Sequence, residues 1–391
     1  MADEPIAELN GLTPMQVANT PTFDKIAPLC KMGTLKTVAD GFHPGSEVAN
    51  MSILGYDLSK CFEGRGVLEA ASIGVPVYDN EIAMRCNLIC VENGIIKNHS
   101  AGHISSEESK ILIDFLEEKL GNDIVSFHHG VSYRNLLKIK NGKKNLDCTP
   151  PHDVPLHPFR DCMVKPLDEE SKATADLIND LILKSQEILS NHPLNLQRMQ
   201  EGKDPANSIW PWSPGYRPQM QTLTERFHLS KGAVISAVDL IRGIGVYAGL
   251  ETILVEGATG LYNTNYAGKA QAAIEALKNN DFVFLHIEAS DEAGHEGDID
   301  LKIKTIENLD HLICKPIYEA LDTIGDKVKF AILPDHPTPC KIRTHTNRPV
   351  PFMIYDPNAK GDGLTEFNEF SALKGSFGQL EKDEFIKELL K

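Results

Sequence analysis

No apolar run in the 391 residues approaches the ~18–20 needed to cross a bilayer. The opening MADEPIAELN is acidic and lacks the basic and apolar regions of a signal peptide. Both absences favour a cytoplasmic protein with no membrane partner. Positive charge is also scarce: 39 Lys and Arg against 55 Asp and Glu give a formal net charge of −16. A nucleic-acid surface, where cations should dominate one face, is therefore disfavoured. An anionic ligand would have to be held by local Arg, Lys or metal charge against a repulsive overall field. No G-x-x-x-x-G-K-[ST] occurs, which disfavours kinases of the nucleotide-binding-loop type. The eight cysteines are scattered, and the three-residue gap between Cys86 and Cys90 matches no strong zinc pattern. Reduced structural thiols are expected.

What is present is enough chain for two or three domains, with 41% apolar and 24% charged residues, the balance of a globular protein. The C-terminal third alternates strand and helix. TILVEG at 252–257, FVFLHI at 282–287 and KFAILP at 329–334 read as buried strands. Residues 266–278 suit a helix, and Ile299, Ile303, Ile306, Ile313 and Ile317 fall on one helical stripe that Pro316 should kink or end. PFMIY at 351–355 and a closing helix at 381–390 complete an α/β pattern with a mainly parallel sheet. The middle of the chain differs. Asn-Gly inside NLICVENGIIKN at 87–98 signals a hairpin, SSEESKILIDFLEEKL at 105–120 a capped amphipathic helix, and residues 124–140 a further pair of strands. Residues 60–221 thus form an inserted α+β domain, flanked by a discontinuous domain of residues 1–59 and 222–391.

Three clusters carry potential chemistry. HIEASDEAGHEGD follows the strand FVFLHI, and a helical turn would put Asp291 and His295 on one face. Asp335 and His336 follow the strand KFAIL, with His345 nine residues beyond. Open α/β sheets bind ligands beyond the carboxyl ends of their strands. Carboxylate plus imidazole there suits zinc or manganese, although each pair taken singly also fits a solvated turn or a helix cap. In the third cluster, FHPGSEVANMSILGYD, Ser46 follows Gly45 and opens a short helix. It could be a plain cap or a nucleophile, since a helix N-terminus favours an incoming phosphate and a metal would promote loss of its proton.

Together with TPPHD at 149–153, GAVISAVDLIRGIG at 232–245, EGATGLYNTNYAGKA at 256–270 and LPDHPTPCKIRTHTNRPVPF, these clusters resemble the cofactor-independent phosphoglycerate mutases of the archaeal type, over nearly the whole chain. The resemblance implies an alkaline-phosphatase-like domain flanked by helices and interrupted by a cap that contacts substrate. It implies Ser46 as the phosphorylated serine, Asp291, His295 and His345 as ligands of one divalent metal, and Asp335 and His336 with Ser46 on a second. The ions would be manganese or zinc, or magnesium, with no 2,3-bisphosphoglycerate required. The implied reaction interconverts 3-phosphoglycerate and 2-phosphoglycerate.

Substrate contacts are expected from Arg65, Arg134 and Arg217 for the anionic groups, from His152 and Asp153 for the glycerate hydroxyl proton, and from Lys231 and Lys269 for phosphate. A solvated surface role fits each of these as well. Trp210, Trp212 and Tyr216 either line the substrate pocket or pack in the cap core. Family members open with an apolar strand ending in a Gly-Asp-Gly-Met-like turn whose aspartate binds the serine's metal, and MADEPIAEL corresponds to the residues just after it. The resemblance therefore implies a start assigned too late or a degenerate, inactive chain, with Asp3 on the wrong side to substitute. Another phosphotransfer on this scaffold, such as a homoserine kinase or a phosphatase, and a non-catalytic metal-binding relative are the alternatives. A homo-oligomer is compatible with all of them.

Overall fold

The structure, a computed structural model, describes residues 1–324 and 328–391. The chain divides into two compact units, Met1–Phe62 with Gln219–Lys391, and Glu63–Pro218.

The discontinuous unit holds two sheets. In one, β9 (Gly232–Ile235) lies between β10 (Glu251–Ile253) and β11 (Phe282–Leu285), all parallel. The parallel β10–β11 connection needs a crossover, supplied by the helix Tyr266–Leu277, whose Asn265 side chain caps Gly268 N. The other sheet has the order β12 (Phe330–Ile332), β13 (Val350–Tyr355), β1 (Cys30–Lys36), β14 (Gly378–Glu381). Here β13 runs antiparallel to both neighbours, while β1 and β14 are parallel. Cys30, Met32 and Met353 enter one buried cluster, and Leu35, Val350, Phe352 and Ile354 another, so the two faces of β1 and β13 each meet a core.

Pro316 does not end its helix. The chain stays helical from Ile299 to Ala320, with a wider π-helical stretch at Leu309–Cys314 just before the proline. Proline removes one backbone donor and crowds the carbonyl four residues back, and a local π turn is one way a helix absorbs that misfit.

The inserted unit is built on β2 (Glu81–Glu92), which pairs antiparallel with β3 (Ile95–Asn98), β5 (Arg134–Lys140) and β8 (Ser208–Gly215); β4 (Val125–Val131) extends the sheet beyond β5. A small ribbon pairs β6 (Leu146–Asp147) with β7 (Lys165–Pro166). The β2–β3 turn is Asn93–Gly94, both at positive φ, the left-handed pair that a tight hairpin demands. The helix Ser106–Leu120 starts on a capping box of Ser105 and Glu108, and buries Leu112, Ile113 and Leu116 against the sheet. All eight cysteines are unpaired, and seven of them are buried.

Candidate functional site

Beyond the carboxyl end of β11, the helix Ala289–Glu296 places Asp291 and His295 one turn apart. His295 Nε2 lies 3.1 Å from Asp291 Oδ2 and 2.9 Å from His345 Nε2, and His345 Nε2 is 3.4 Å from Asp291 Oδ1. Ligand atoms of these three residues all fall within 4.8 Å of one another. His345 comes from the loop between β12 and β13, fifty residues along the chain from His295.

The second group follows β12. Asp335 Oδ1 accepts from His336 N at 2.9 Å, and Asp335 Oδ2 stands 3.3 Å from His336 Nε2. Ser46 opens the helix Ser46–Ile53, behind the extended Gly45, and its Oγ meets His336 Nε2 at 3.0 Å. The His336 and His345 rings lie 3.8 Å apart between centroids, so the two groups adjoin. The structure thus brings together Ser46, Asp291, His295, Asp335, His336 and His345.

Four participants were not singled out from the sequence. Asn50, one helical turn after Ser46, donates to Ser46 O at 2.8 Å and to Asp335 Oδ2 at 3.0 Å. Thr338 Oγ1 donates to Asp291 Oδ1. His286 lies 3.9 Å from Asp335 Oδ2 and 3.4 Å from Glu288, and its Nδ1 contacts Ser236 Oγ at 3.2 Å. His286 and Glu288 sit in the same post-strand motif as Asp291, and that position was the available signal. Nothing local marks Asn50 or Thr338.

Charge in this cluster is tightly coupled. The Asp291 carboxylate pushes His295 up to about 9. Burial would raise Asp291, but hydrogen bonds from His295 and His345 hold its carboxyl far below the usual range. Burial likewise opposes ionisation of Asp335, and the His336 and His286 rings outweigh it. Glu288 is carried by burial up to about 7 against the pull of His286. Three acceptor groups facing one another at these distances could hold a divalent cation, since a cation shared among them removes the need for one ring to donate to another. The set Asp335, His336 and Ser46 offers a second carboxylate–imidazole–hydroxyl convergence of the same chemistry.

The expected substrate contacts divide between the units. Lys269 is buried on the helix Tyr266–Leu277, donates to Thr259 O at 3.1 Å, and is lowered to about 8 by burial, with Glu288 opposing. Lys231 stands at the amino end of β9, level with the start of β11, whereas the acid–imidazole cluster lies past the carboxyl ends. That placement corrects the expectation that it touches the phosphate at this cluster. Arg65, Arg134, His152, Asp153 and Arg217 belong to the inserted unit. His152 and Asp153 pair at 3.7 Å, and Arg134 and Arg217 are exposed. Trp210 and Trp212 are buried in the core of that unit, with Tyr216 partly buried against it.

Comparison with known proteins identifies the family. A family model described as 2,3-bisphosphoglycerate-independent phosphoglycerate mutase matches residues 27–195. A protein of that name from Methanosarcina barkeri is 49% identical over 100% of this chain and 97% of its own length. The chain belongs to the 2,3-bisphosphoglycerate-independent phosphoglycerate mutases. A probable mutase of the family from Geobacter sulfurreducens is 44% identical over 95% of this chain and 92% of its own. Among solved structures, a Pyrococcus horikoshii protein superposes with a TM-score of 0.83 at 32% identity, covering 100% of this chain and 94% of that one. The cofactor-independent phosphoglycerate mutase of Thermoplasma acidophilum gives 0.70 at 25% identity, covering 100% and 96%. These matches assign the fold of this family, of the alkaline-phosphatase type.

Proposed function

We infer that the chain is a phosphoglycerate mutase, an isomerase that interconverts 3-phosphoglycerate and 2-phosphoglycerate by way of a phosphoserine at Ser46. The observation that carries the mechanism is the contact of Ser46 Oγ with His336 Nε2 inside a cluster of carboxylates and imidazoles. The names of relatives aligned over the full chain favour a mutase over a homoserine kinase or a phosphatase. A purely metal-binding relative would have no use for a hydroxyl at the mouth of this donor set.

Asp291, His295 and His345 would hold one divalent ion, and Asp335 and His336 with Ser46 a second. Such ions, manganese, zinc or magnesium, supply Lewis-acid stabilisation of phosphoryl oxygens and lower the pKa of a hydroxyl. Ser46 Oγ attacks the phosphorus of 3-phosphoglycerate. The bond from phosphorus to the 3-oxygen breaks, and that oxygen leaves with a proton as the glycerate hydroxyl. Return of the phosphoryl group to the 2-oxygen regenerates Ser46. Because Ser46 begins a helix, the backbone N–H groups of that first turn have no intrahelical partner and favour the incoming dianion. Asn50 fixes the Ser46 carbonyl and Asp335 from one side chain, so the serine and the acid keep their relative position. In this reading, exclusion of water protects the phosphoserine from hydrolysis.

The test is acid-quench trapping with phosphate-labelled 3-phosphoglycerate on the parent and on Ser46→Ala. Label on Ser46 and mutase turnover in the parent, with both lost in the folded variant, support the reading. Undiminished turnover in Ser46→Ala would sink the serine mechanism.

A further inference from the structure

The imidazoles of His295, His336 and His345 turn Nε2 toward the cluster and set Nδ1 against an oxygen. His295 Nδ1 donates to Arg343 O at 3.0 Å, and His345 Nδ1 donates to Pro44 O at 3.4 Å. A backbone carbonyl can only accept, so both rings carry a proton on Nδ1. When neutral, they leave the Nε2 lone pair for the cluster. His336 follows the same pattern with a different partner. Its Nδ1 lies 3.3 Å from Thr338 Oγ1, while its Nε2 faces Ser46 Oγ at 3.0 Å. A hydroxyl can donate or accept, so the proton's place on His336 is set by what else the threonine touches.

It touches a carboxylate. Thr338 Oγ1 has one proton and gives it to Asp291 Oδ1, which can only accept. The hydroxyl then presents a lone pair to His336, and Nδ1 must supply the proton of that contact. His336 Nδ1 is 3.8 Å from Asp291 Oδ1, too far for a direct bond, so the hydroxyl relays between ring and acid. Thr338 is firmly seated. It is 3% exposed, and its carbonyl accepts from Lys302 Nζ at 2.8 Å. A Cβ at Gly294 would stand 2.4 Å from Thr338 O and 3.0 Å from Thr338 Cβ and Cγ2, so the helix Ala289–Glu296 packs directly on the threonine. A β-branched side chain held on that face has few rotamers open, and its hydroxyl keeps one direction.

We propose that Thr338 is a positioning residue: its hydroxyl keeps the His336 proton on Nδ1 and so aims the Nε2 lone pair at Ser46 and at the divalent ion the cluster would take. A ring nitrogen that carries a proton can neither ligate a metal nor accept the serine's proton. The same oxygen touches one member of each acid–imidazole group, Asp291 and His336, and so ties their orientations together. His295 and His345 take their tautomer from main-chain carbonyls, which a side-chain substitution leaves in place. Of these three rings, His336 is the one that depends on a side chain. The effect on metal rests on the metal-dependent reading given above; the tautomer does not.

The test compares the full chain with Thr338→Val, which puts a methyl in place of the hydroxyl, and with Thr338→Ser, which keeps the hydroxyl. The first readout is nuclear magnetic resonance of the dialysed chain, isotope-labelled at the histidine nitrogens, at a pH where the rings are neutral. The His336 signals, identified by their absence from His336→Gln, should place the proton on Nδ1 in the parent and in Thr338→Ser. In Thr338→Val a substantial share should move to Nε2. Manganese affinity, measured by competition with a chelator, should fall about 10–100-fold in Thr338→Val and recover in Thr338→Ser. Turnover of 3-phosphoglycerate should lose kcat in Thr338→Val with KM little changed. A parent ring protonated on Nε2 overturns the proposal, whether or not either variant folds. So does a folded Thr338→Val with the parental tautomer and metal affinity. A Thr338→Ser as impaired as Thr338→Val also overturns it, and would mark packing against Gly294 instead. A parent that takes up no manganese but shows the Thr338-dependent tautomer would sink the metal reading and leave the positioning role standing.

Discussion

Lys302 is the most informative residue to remove. Its side chain has no solvent exposure, and that of its partner Asp3 has 1%. The ammonium donates to Asp3 Oδ2 at 2.7 Å, to Thr338 O at 2.8 Å and to Ala2 O at 3.2 Å, which uses all three of its protons. Asp3 Oδ2 also accepts from Cys340 N at 3.1 Å, so its carboxylate is committed to this place. Lys302→Met preserves most of the apolar volume and leaves that carboxylate buried without a cation. Breaking a buried pair from one side costs about 3–5 kcal/mol. Urea unfolding should therefore show a loss of that size at pH 7. Far-UV circular dichroism is the appropriate probe, because both tryptophans, Trp210 and Trp212, lie in the other unit. Lys302→Met combined with Asp3→Asn should recover most of the stability, since no buried charge then remains. A loss below about 1 kcal/mol in the single variant, or a double variant worse than the sum of the two, would refute the argument.

Other expectations follow from single contacts. Asp291→Asn and His345→Ala should each lower the bound divalent metal measured on dialysed protein below that of the parent, and equal metal in both would remove the site. Lys269→Met should stabilise the protein at pH 7 by on the order of 2–3 kcal/mol, because the folded state depresses this lysine to about 8. The sign is set by protons: between about 8 and 10.5 this side chain holds more of them in the unfolded chain, so the variant's advantage over the parent should shrink as pH rises across that window. An advantage of the variant that stays constant or grows from pH 8 to 10 would contradict this. Gly66→Ala should destabilise the inserted unit by roughly 1–3 kcal/mol, since a Cβ there would meet Ala83 O at 2.6 Å, Met84 Cα at 2.7 Å and Ser213 O at 2.8 Å. Tryptophan emission during urea unfolding reads that change, and an unshifted midpoint would show that the helix Arg65–Ser72 can move aside.

The sequence by itself determined what local rules can reach. The one-turn spacing of Asp291 and His295, the positions of both acid–imidazole motifs just past strand ends, Ser46 at a helix start and the Asn93–Gly94 hairpin are decided within a few residues of each other. Tertiary structure decided the rest. His345 reaches Asp291 and His295 from fifty residues away, and Ser46 meets His336 across 290 positions, distances over which no periodicity carries information. Lys302 looks like a surface lysine on an amphipathic stripe until Asp3, some 300 residues earlier, closes over it. Lys231 and Lys269 look alike as isolated cations, and only the strand direction separates an exposed lysine at the wrong end of a sheet from a buried one beside Glu288. Side-chain chemistry is written residue by residue, whereas desolvation and the pairing of charges exist only once distant segments have excluded water between them.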